Sequence, residues 1–337
     1  MNATSSPALL ELAGVSKIFG ATRPGRATRA LQALRLARAP RPARAVDGVS
    51  VAVQRSEVVG LVGESGCGKS TLGRIAADLL APSAGSVHVG GAVRDTLAPE
   101  ARKASRLDIQ MVFQDAYASL NPRLRVDQIV GEGALRNGLV QAADYDEYVS
   151  QQLQRAGLDP SVRWRYPHQF SGGQRQRINI ARALAVNPSL LICDEAIAAL
   201  DVSIQAQILN LFLDLRESLN LAYLFISHDL GVVRHVSDRV VVMYLGRVVE
   251  SAPTDELFDR PNHPYTRALL DQIPRLDARR TPFRAIEGEI PSPLAPPSGC
   301  HFHPRCPHAM PRCRSEVPRL RGIAVRHESA CHLNDVA

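Results

Sequence analysis

The phosphate-loop sequence at residues 63–70 constrains the fold more than any other feature of this chain. An apolar run at residues 58–62 leads into Gly63-Glu64-Ser65-Gly66-Cys67-Gly68-Lys69-Ser70, and residues 70–80 then show helical spacing. The glycines let backbone N–H groups face phosphate, Lys69 can contact the outer phosphates, and Ser70 offers a hydroxyl to Mg²⁺. Strand, loop and helix in this order predict a P-loop α/β fold that binds a nucleotide.

A pair of acidic residues, Asp194-Glu195, closes the apolar run at residues 190–193. The carboxyl ends of parallel strands are where ligand sites lie in α/β sheets. Asp194 is therefore predicted to bind Mg²⁺, directly or through water, and Glu195 to polarise the water that attacks the γ-phosphate. Two solvated acids at a strand end would be the plain alternative, and the phosphate loop favours the catalytic interpretation.

Two other polar side chains also follow apolar runs. Gln114 comes after residues 111–113, where an amide can contact both Mg²⁺ and the attacking water. His228 follows residues 222–226 and can donate a hydrogen bond to the γ-phosphate or hold the water. Taken singly, a surface glutamine and a structural histidine are the commoner interpretations. The order of all the elements along the chain favours catalysis.

A second Gly-rich sequence, Ser171-Gly172-Gly173-Gln174, lies between the phosphate loop and the acidic pair. A helical pattern is predicted to begin near Gln174, so that free N–H groups and the positive end of the helix dipole are directed at phosphate. A single chain has no obvious use for two sets of phosphate donors.

Taken together and in this order, these elements resemble the ABC transporter ATPase from about residue 8 to residue 260. The resemblance implies an ABC-type P-loop α/β fold, with a mixed sheet core and a helical subdomain. It also implies that two such domains meet head to tail, each presenting residues 171–174 to the nucleotide held by the other.

The resemblance assigns further roles residue by residue. Phe19 is implied to stack on adenine, although Ile18 precedes it where relatives often have a second aromatic, and Asp201 is implied to link the two sites across the dimer. The implied catalytic residues are Glu195, His228 and Gln114; the implied Mg²⁺ ligands are Ser70, Gln114 and Asp194; the nucleotide site as a whole comprises Phe19, Gly63, Ser65, Gly66, Cys67, Gly68, Lys69, Ser70, Thr71, Gln114, Ser171, Gly173, Gln174, Asp194 and Asp201.

Four longer stretches narrow the resemblance to the ATP-binding subunits of bacterial oligopeptide/dipeptide importers: residues 110–115, 117–123, 166–169 and 262–266. This implies an ATP hydrolase, peripheral on the cytoplasmic face of the inner membrane, that energises uptake of di- or oligopeptides. Its implied partners are two permeases, an extracytoplasmic solute-binding protein, and a second ATPase subunit that is a related chain or another copy. Solute contacts would lie on those partners, so nickel, glutathione and other small solutes stay open.

The composition changes near Pro261. We predict an ATPase domain over residues 1–260, containing an Arg-rich insertion at 21–44 and a helical subdomain at about 115–185. Residues 261–337 are rich in Pro, His, Cys and Arg. They are predicted to form a loop-dominated extension that something other than a large apolar core must hold.

Four of the six cysteines lie in this extension: Cys300, Cys306, Cys313 and Cys331. Their separations match neither the common zinc-finger pattern nor the ferredoxin runs, so spacing leaves a metal site and unligated thiols open. Three histidines nearby, His301, His303 and His308, keep zinc among the alternatives. The resemblance to the importer subunits favours a 4Fe-4S cluster that staples the extension.

The net charge of +7 raises the question of nucleic-acid binding. Residues 21–44 contain seven arginines and no acidic residue, and the remaining 33 basic residues balance the 33 acidic ones. We interpret this Ala/Arg/Pro-rich insertion as a flexible solvated arm, with contact to anionic headgroups or nucleic acid as the alternative. It contains no aromatic residue for base stacking, and no nucleic-acid partner is expected.

Neither a run of 18 apolar residues nor a signal-peptide pattern occurs, so we expect no membrane span and no signal peptide. Two other classes of ABC protein compete with the importer interpretation. A soluble ABC protein acting on DNA or ribosomes would carry two ATPase sets or a long coiled coil, neither of which is visible here. An exporter half would normally carry its own membrane span.

Overall fold

The computed structural model describes residues 7–20, 42–273 and 286–335. Most of the Arg-rich insertion therefore lies outside the described residues. The strands are β1 (Leu10–Phe19), β2 (Ala43–Val53), β3 (Val58–Val62), β4 (Ala84–Val89), β5 (Ala92–Val93), β6 (Ile109–Val112), β7 (Leu190–Asp194), β8 (Ala222–Ile226), β9 (Arg239–Tyr244), β10 (Arg247–Pro253), β11 (Arg321–Ala324) and β12 (His327–Ser329).

The helices connect and cover these strands. They are α1 (Lys69–Ala76), α2 (Pro99–Asp108), α3 (Val126–Arg136), α4 (Tyr145–Arg155), α5 (Gly172–Leu184), α6 (Val202–Leu219), α7 (Leu230–Val236), α8 (Thr254–Asp259), α9 (Pro264–Leu270) and α10 (Pro311–Ser315), with short 3₁₀ turns at Arg94–Thr96, Pro160–Trp164, Pro167–Gln169, His303–Arg305 and His332–Asp335. None of the helices in the described ranges is both long and apolar enough to cross a membrane.

Two sheets organise the fold. The larger has the strand order β11-β12-β10-β9-β3-β8-β7-β6, and the smaller has β2-β1-β4-β5. Strand β3 pairs in parallel with β8 and β9, and β7 pairs in parallel with β6 and β8. The carboxyl ends of β3, β6, β7 and β8 therefore lie along one edge, which is where the phosphate loop and the predicted catalytic side chains emerge.

Strand β3 is buried on both faces, because its side chains point alternately into two apolar clusters. Val58 and Val62 belong to the apolar cluster that includes helices α5 and α6, whereas Val59 and Leu61 belong to the cluster that includes α1. All five residues of the strand are buried. A strand covered on both faces needs an almost continuous apolar run, which is the pattern of a parallel sheet.

Residues 120–170, which precede α5, are largely helical, as their composition predicted. Helices α3 and α4 pack closely, because the Tyr145 hydroxyl donates to the Asp127 carbonyl at 2.8 Å and the Tyr145 ring lies against Gly131. The boundaries proposed for this subdomain and for the C-terminal extension stay predictions.

The extension differs from the expected loop-dominated appendage. Its hairpin, β11 and β12, lengthens the large sheet through the pairs Glu250↔Ser329 and Ser251↔Glu328 on β10. Phe302 is fully buried, with its ring 5.3 Å from those of both Tyr244 and Tyr265. The extension is thus held partly by contacts with Tyr244 and with the sheet of the preceding domain, a source of stability that its own low apolar content did not indicate.

Candidate nucleotide-binding and hydrolysis site

The phosphate loop joins the end of β3 to the start of α1. The buried Lys69 ammonium donates to the carbonyl oxygens of Gly63 at 2.7 Å and Glu64 at 3.1 Å, so it lies inside the curl of its own loop. Gly68 has φ 106°, and a Cβ there would lie 2.1 Å from the Ala45 carbonyl oxygen. Only glycine can therefore make this turn. Ser65 and Gly66 are exposed at the tip of the loop, Cys67 is buried, and Thr71 lies in the first turn of α1.

Two of the predicted magnesium ligands lie in direct contact. The Ser70 hydroxyl donates to Asp194 Oδ1 at 2.8 Å, although 124 residues separate them. Burial raises the pKa of Asp194, and the Ser70 hydrogen bond and the Arg74 charge oppose that rise. A hydroxyl and a carboxylate are hard oxygen donors of the kind that Mg²⁺ prefers, so these two side chains fit the ion.

The three predicted catalytic side chains come together beside this pair. Gln114 Nε2 donates to Glu195 Oε2 at 2.9 Å, and His228 Nδ1 lies 3.4 Å from the same oxygen. These side chains follow β6, β7 and β8, so the parallel sheet accounts for their convergence. The Glu195 side chain is mostly shielded from solvent, at 17% exposed, whereas the His228 side chain is 59% exposed.

Glu195 lies just beyond β7 in an unusual backbone conformation. Its φ is 49°, in the left-handed region that a non-glycine residue seldom adopts. Its N–H donates to the Ile226 carbonyl at 3.0 Å, which fixes the residue against the end of β8. Such conformations persist where the surroundings hold them, and they cluster at functional sites.

The second Gly-rich sequence forms the N-terminus of α5. The helix begins at Gly172 rather than near Gln174, because Ser171 is the N-cap: its hydroxyl accepts from the Gln174 N–H at 3.4 Å, and the Gln174 side chain accepts from the Ser171 N–H at 3.0 Å. Reciprocal bonds of this kind form a capping box. A Cβ on Gly173 would lie 2.5 Å from Ile204 Cγ2, so glycine also lets α5 approach α6.

Within the described residues, no hydrogen bond joins residues 171–174 to the phosphate loop of the same chain, and Ser171, Gly172 and Gln174 are exposed. A groove of about 510 Å³ lies beside the helix start, lined in part by Gln114, Tyr117 and Gly172. The capped, solvent-facing helix start is suited to a ligand that another molecule brings.

The structure does not bring the other two predicted residues, Phe19 and Asp201, into contact with the catalytic cluster through a hydrogen bond or ion pair in the described residues, and both are exposed. Phe19 ends β1 and is exposed, with the Lys17 ammonium 5.5 Å from its ring centroid. Asp201 is the exposed N-cap of α6. Neither contacts the phosphate loop through a hydrogen bond or ion pair in the described residues.

One set of contacts to the phosphate loop was not predicted. Arg305, from the extension, forms a two-pronged ion pair with the Glu64 carboxylate at 2.7 and 3.0 Å, and the Tyr265 hydroxyl accepts from the Glu64 N–H at 2.9 Å. Sequence reasoning assigned no role to these side chains. The only visible signal was an acidic residue inside a phosphate-binding loop, which calls for a basic partner.

The four extension cysteines lie in one small region, but not in ligand geometry. The Cys300 N–H donates to the Cys313 carbonyl at 2.8 Å, and all four thiols are free. Burial, supported by the neighbouring cysteines, raises the pKa of Cys300 to about 11. Among the residues described, no group of three or more His, Cys, Asp or Glu side chains is arranged to hold a metal ion.

Comparison with known families gives two matches along the chain. Residues 46–198 match the ABC transporter family, and residues 249–313 match the oligopeptide/dipeptide transporter C-terminal region. The first match contains the phosphate loop, Gln114, the α5 helix start and the acidic pair. The second reaches from β10 to Cys313.

Curated relatives match most of the chain. It is 50% identical over 294 residues to the oligopeptide transport ATP-binding protein AppF of Bacillus subtilis, a match covering 86% of this chain and 89% of the relative. It is also 50% identical over 290 residues to the di/tripeptide transport ATP-binding protein DppF of Pseudomonas aeruginosa, covering 86% and 90%.

Solved structures share the fold of the ATPase region. CbiO1 of Clostridium perfringens, part of the ABC transporter complex CbiONQ, is 26% identical with a TM-score of 0.61 over 75% of this chain and 92% of that one. The dimeric ATP-binding cassette MJ0796, bound to ADP and Pi, is 27% identical with a TM-score of 0.60 over 73% and 98%. The ABC-type P-loop fold predicted from the sequence is confirmed, and the chain belongs to the ABC transporter ATP-binding proteins of the oligopeptide/dipeptide type.

Proposed function

We propose that this chain binds and hydrolyses ATP to drive import of di- or oligopeptides through partner permeases. The convergence of Gln114, Glu195 and His228 beside the Ser70–Asp194 pair carries the hydrolytic part of the proposal. The peptide substrate rests on relatives named for oligopeptide and di/tripeptide transport.

The side chains divide the work of hydrolysis among them. Lys69 neutralises charge on the outer phosphates, and Ser70 and Asp194 would hold Mg²⁺, which neutralises further phosphate charge. Glu195 accepts a proton from the attacking water. Gln114 orients the Glu195 carboxylate through its 2.9 Å hydrogen bond. His228, whose side chain is exposed, would donate a hydrogen bond to the γ-phosphate.

We further propose that two ATPase subunits meet head to tail, so that the α5 helix start of each faces the nucleotide of the other. Support comes from the solvent-facing capping box of Ser171 and from the dimeric state of the solved cassette that shares this fold. Phe19 and Asp201 then contribute to adenine stacking and to the link between the sites. The partners would also include two permeases and a solute-binding protein, with this chain on the cytoplasmic face of the membrane.

The transport proposal is tested with the complex in which the chain works. The tagged full-length protein is purified from its own cells with its membrane partners and reconstituted in vesicles, and ATP hydrolysis is measured with di- and tripeptides, nickel and glutathione. We expect stimulation by peptides. Stimulation by nickel or glutathione alone would reassign the solute, and capture of nucleic acid without any membrane partner would overturn the transport function.

The same preparation tests Lys69. Lys69→Ala is expected to weaken ATP binding by about 10- to 100-fold, because a charge-assisted hydrogen bond to phosphate contributes about 1.5–3 kcal/mol. Calorimetry with Mg²⁺ present measures the affinity, and Lys103→Ala, an exposed change on α2, is the control. Equal affinity in Lys69→Ala and the parent would contradict the assignment of the phosphate loop as the ATP site.

We also propose that Cys300, Cys306, Cys313 and Cys331 bind a 4Fe-4S cluster. Four thiols without a carboxylate among them form a soft donor set suited to iron–sulfur chemistry. The hydrogen bond from the Cys300 N–H to the Cys313 carbonyl at 2.8 Å supports the proposal, because it holds two of the four cysteines side by side. Binding would require these side chains to turn toward a common centre.

Anaerobically purified full-length protein is expected to contain about four irons per chain and to show a broad visible absorption band. Cys306→Ser with Cys313→Ser should remove both and make the extension sensitive to protease while the ATPase core stays folded. Cys193→Ala, in β7, is the control that should keep the iron. Stoichiometric zinc without iron would replace the cluster, and metal-free protein with an unchanged protease pattern in the serine variant would leave four unligated thiols.

A further inference from the structure

Glu64 is the point at which the C-terminal extension meets the phosphate loop. Its carboxylate accepts two hydrogen bonds from the Arg305 guanidinium, one to each oxygen, at 2.7 and 3.0 Å. The Arg305 side chain is 4% exposed and that of Glu64 is 19% exposed, so the pair is shielded from solvent. A two-pronged pair of this kind fixes the orientation of both side chains as well as their separation.

The backbone of Glu64 is engaged as well. Its N–H donates to the Tyr265 hydroxyl, and its carbonyl accepts from the Lys69 ammonium at 3.1 Å and from the Cys67 N–H at 3.3 Å. Every polar group of this residue is therefore bonded: the carboxylate and the N–H to residues beyond 260, and the carbonyl to two donors within the loop. A movement of the Glu64 side chain would be passed to the carbonyl that positions Lys69.

The extension holds Arg305 just as firmly. Arg305 ends the 3₁₀ turn His303–Arg305, its N–H donates to the Phe302 carbonyl at 3.0 Å, and Nη1 lies 3.4 Å from the Tyr244 hydroxyl. Phe302 anchors the turn in the aromatic core beside Tyr244 and Tyr265. The guanidinium is thus presented to the phosphate loop from a rigid support rather than from a long free side chain.

We propose that Arg305 is a positioning residue for nucleotide binding, which acts through Glu64 to hold the phosphate loop in its binding shape and to neutralise the carboxylate that the loop carries. An unpaired carboxylate in a loop that binds a polyphosphate opposes binding through charge repulsion. Loss of the pair also frees the loop segment whose carbonyls hold Lys69. This inference rests on the proposed ATP site. It predicts that the affinity for ATP depends on the contact between the extension and the phosphate loop.

The expected result concerns ATP binding by the full-length chain. Arg305→Met should weaken ATP binding by about 5- to 150-fold, the usual range of coupling between two linked parts of a protein. In the assembled complex it should raise the KM for ATP more than it lowers kcat. Arg305→Lys should recover only part of the affinity, because a single ammonium cannot form the two-pronged contact.

A double-mutant cycle separates positioning through Glu64 from a general loss of structure. If Arg305 acts through Glu64, Arg305→Met should have a much smaller effect on affinity in a Glu64→Gln chain than in the parent. A merely loosened extension would lower the affinity equally in both backgrounds, and that outcome would overturn the proposal. Parental affinity in Arg305→Met would overturn it too.

Controls keep this test distinct from that of the ATP site itself. Arg312→Met removes another arginine of the extension, one that pairs with Glu316 and Asp335 instead, and it should bind ATP as the parent does. Lys69→Ala is measured alongside. If Lys69→Ala loses affinity while Arg305→Met does not, only the role of Arg305 fails; if neither changes, the phosphate-loop assignment fails. Melting temperatures show which variants are folded, and Arg305→Lys carries the cycle should Arg305→Met not fold.

Discussion

Glu195→Gln is expected to retain ATP binding and to lower ATP turnover in the assembled complex by about 10²- to 10⁴-fold, the usual loss when a general base is removed. The amide has nearly the shape of the carboxylate but cannot take a proton from water. Because Glu195 accepts the Gln114 hydrogen bond and lies near His228, the substitution changes the chemistry without opening the site. The variant should accumulate as a nucleotide-bound dimer, which size-exclusion chromatography with ATP detects.

The control for this variant is Glu217→Gln, an exposed change on α6 away from the predicted site. It should hydrolyse ATP like the parent. Parental turnover in Glu195→Gln would remove Glu195 from its role as the base, and the neighbouring His228 would then be the first residue to replace.

Ser171→Arg is expected to abolish most turnover, by about 10²-fold or more, as the loss of a preorganised anion-binding donor does elsewhere. The long cationic side chain would occupy the space in front of the α5 helix start, where the partner's nucleotide is proposed to lie. ATP binding to the chain's own phosphate loop should persist, because no hydrogen bond joins Ser171 to residues 63–70 in the described structure.

The capping box makes Ser171→Ala the matched control. Alanine loses the cap, at a cost of about 1 kcal/mol to the helix, but adds no bulk, so it separates loss of the cap from obstruction of the interface. A mixed dimer with one Ser171→Arg chain decides the geometry. Loss of the variant chain's own-loop site, with the partner-loop site intact, would contradict the head-to-tail arrangement.

Much of the fold could be predicted because local signals agreed with one another. The five apolar residues of β3, the glycines of the phosphate loop and the helical spacing after it all specify one supersecondary unit. The convergence of Gln114, Glu195 and His228 follows from parallel strands ending at the same edge. Where several local signals agree in this way, one sequence is enough to predict both the supersecondary unit and the residues that meet at the sheet edge.

Other features depend on contacts between distant residues, which no local pattern reveals. Glu195 has a left-handed backbone conformation, and its N–H donates to the Ile226 carbonyl on the neighbouring strand, 31 residues further along the chain. The start of α5 at Gly172 is an exception, because it follows from a capping box between Ser171 and Gln174, a pattern of two residues three positions apart that the sequence shows locally. The composition of the extension predicted loops, but the aromatic contacts of Phe302 and the hairpin of β11 and β12 give it order.

The ion pair between Arg305 and Glu64 joins positions that are 241 residues apart, so its two partners are synthesised at different times. At a synthesis rate of about 5–20 residues per second, roughly 10 to 50 seconds separate the addition of the two residues to a growing chain. Strands β1 to β10 all precede Arg305, whereas β11 and β12 of the large sheet follow it, so these ten strands can pair while Glu64 still lacks its partner. During that interval the phosphate loop lacks its contact with Arg305. If Arg305 positions the loop as proposed, the loop gains its full affinity for ATP only after this part of the extension has been synthesised.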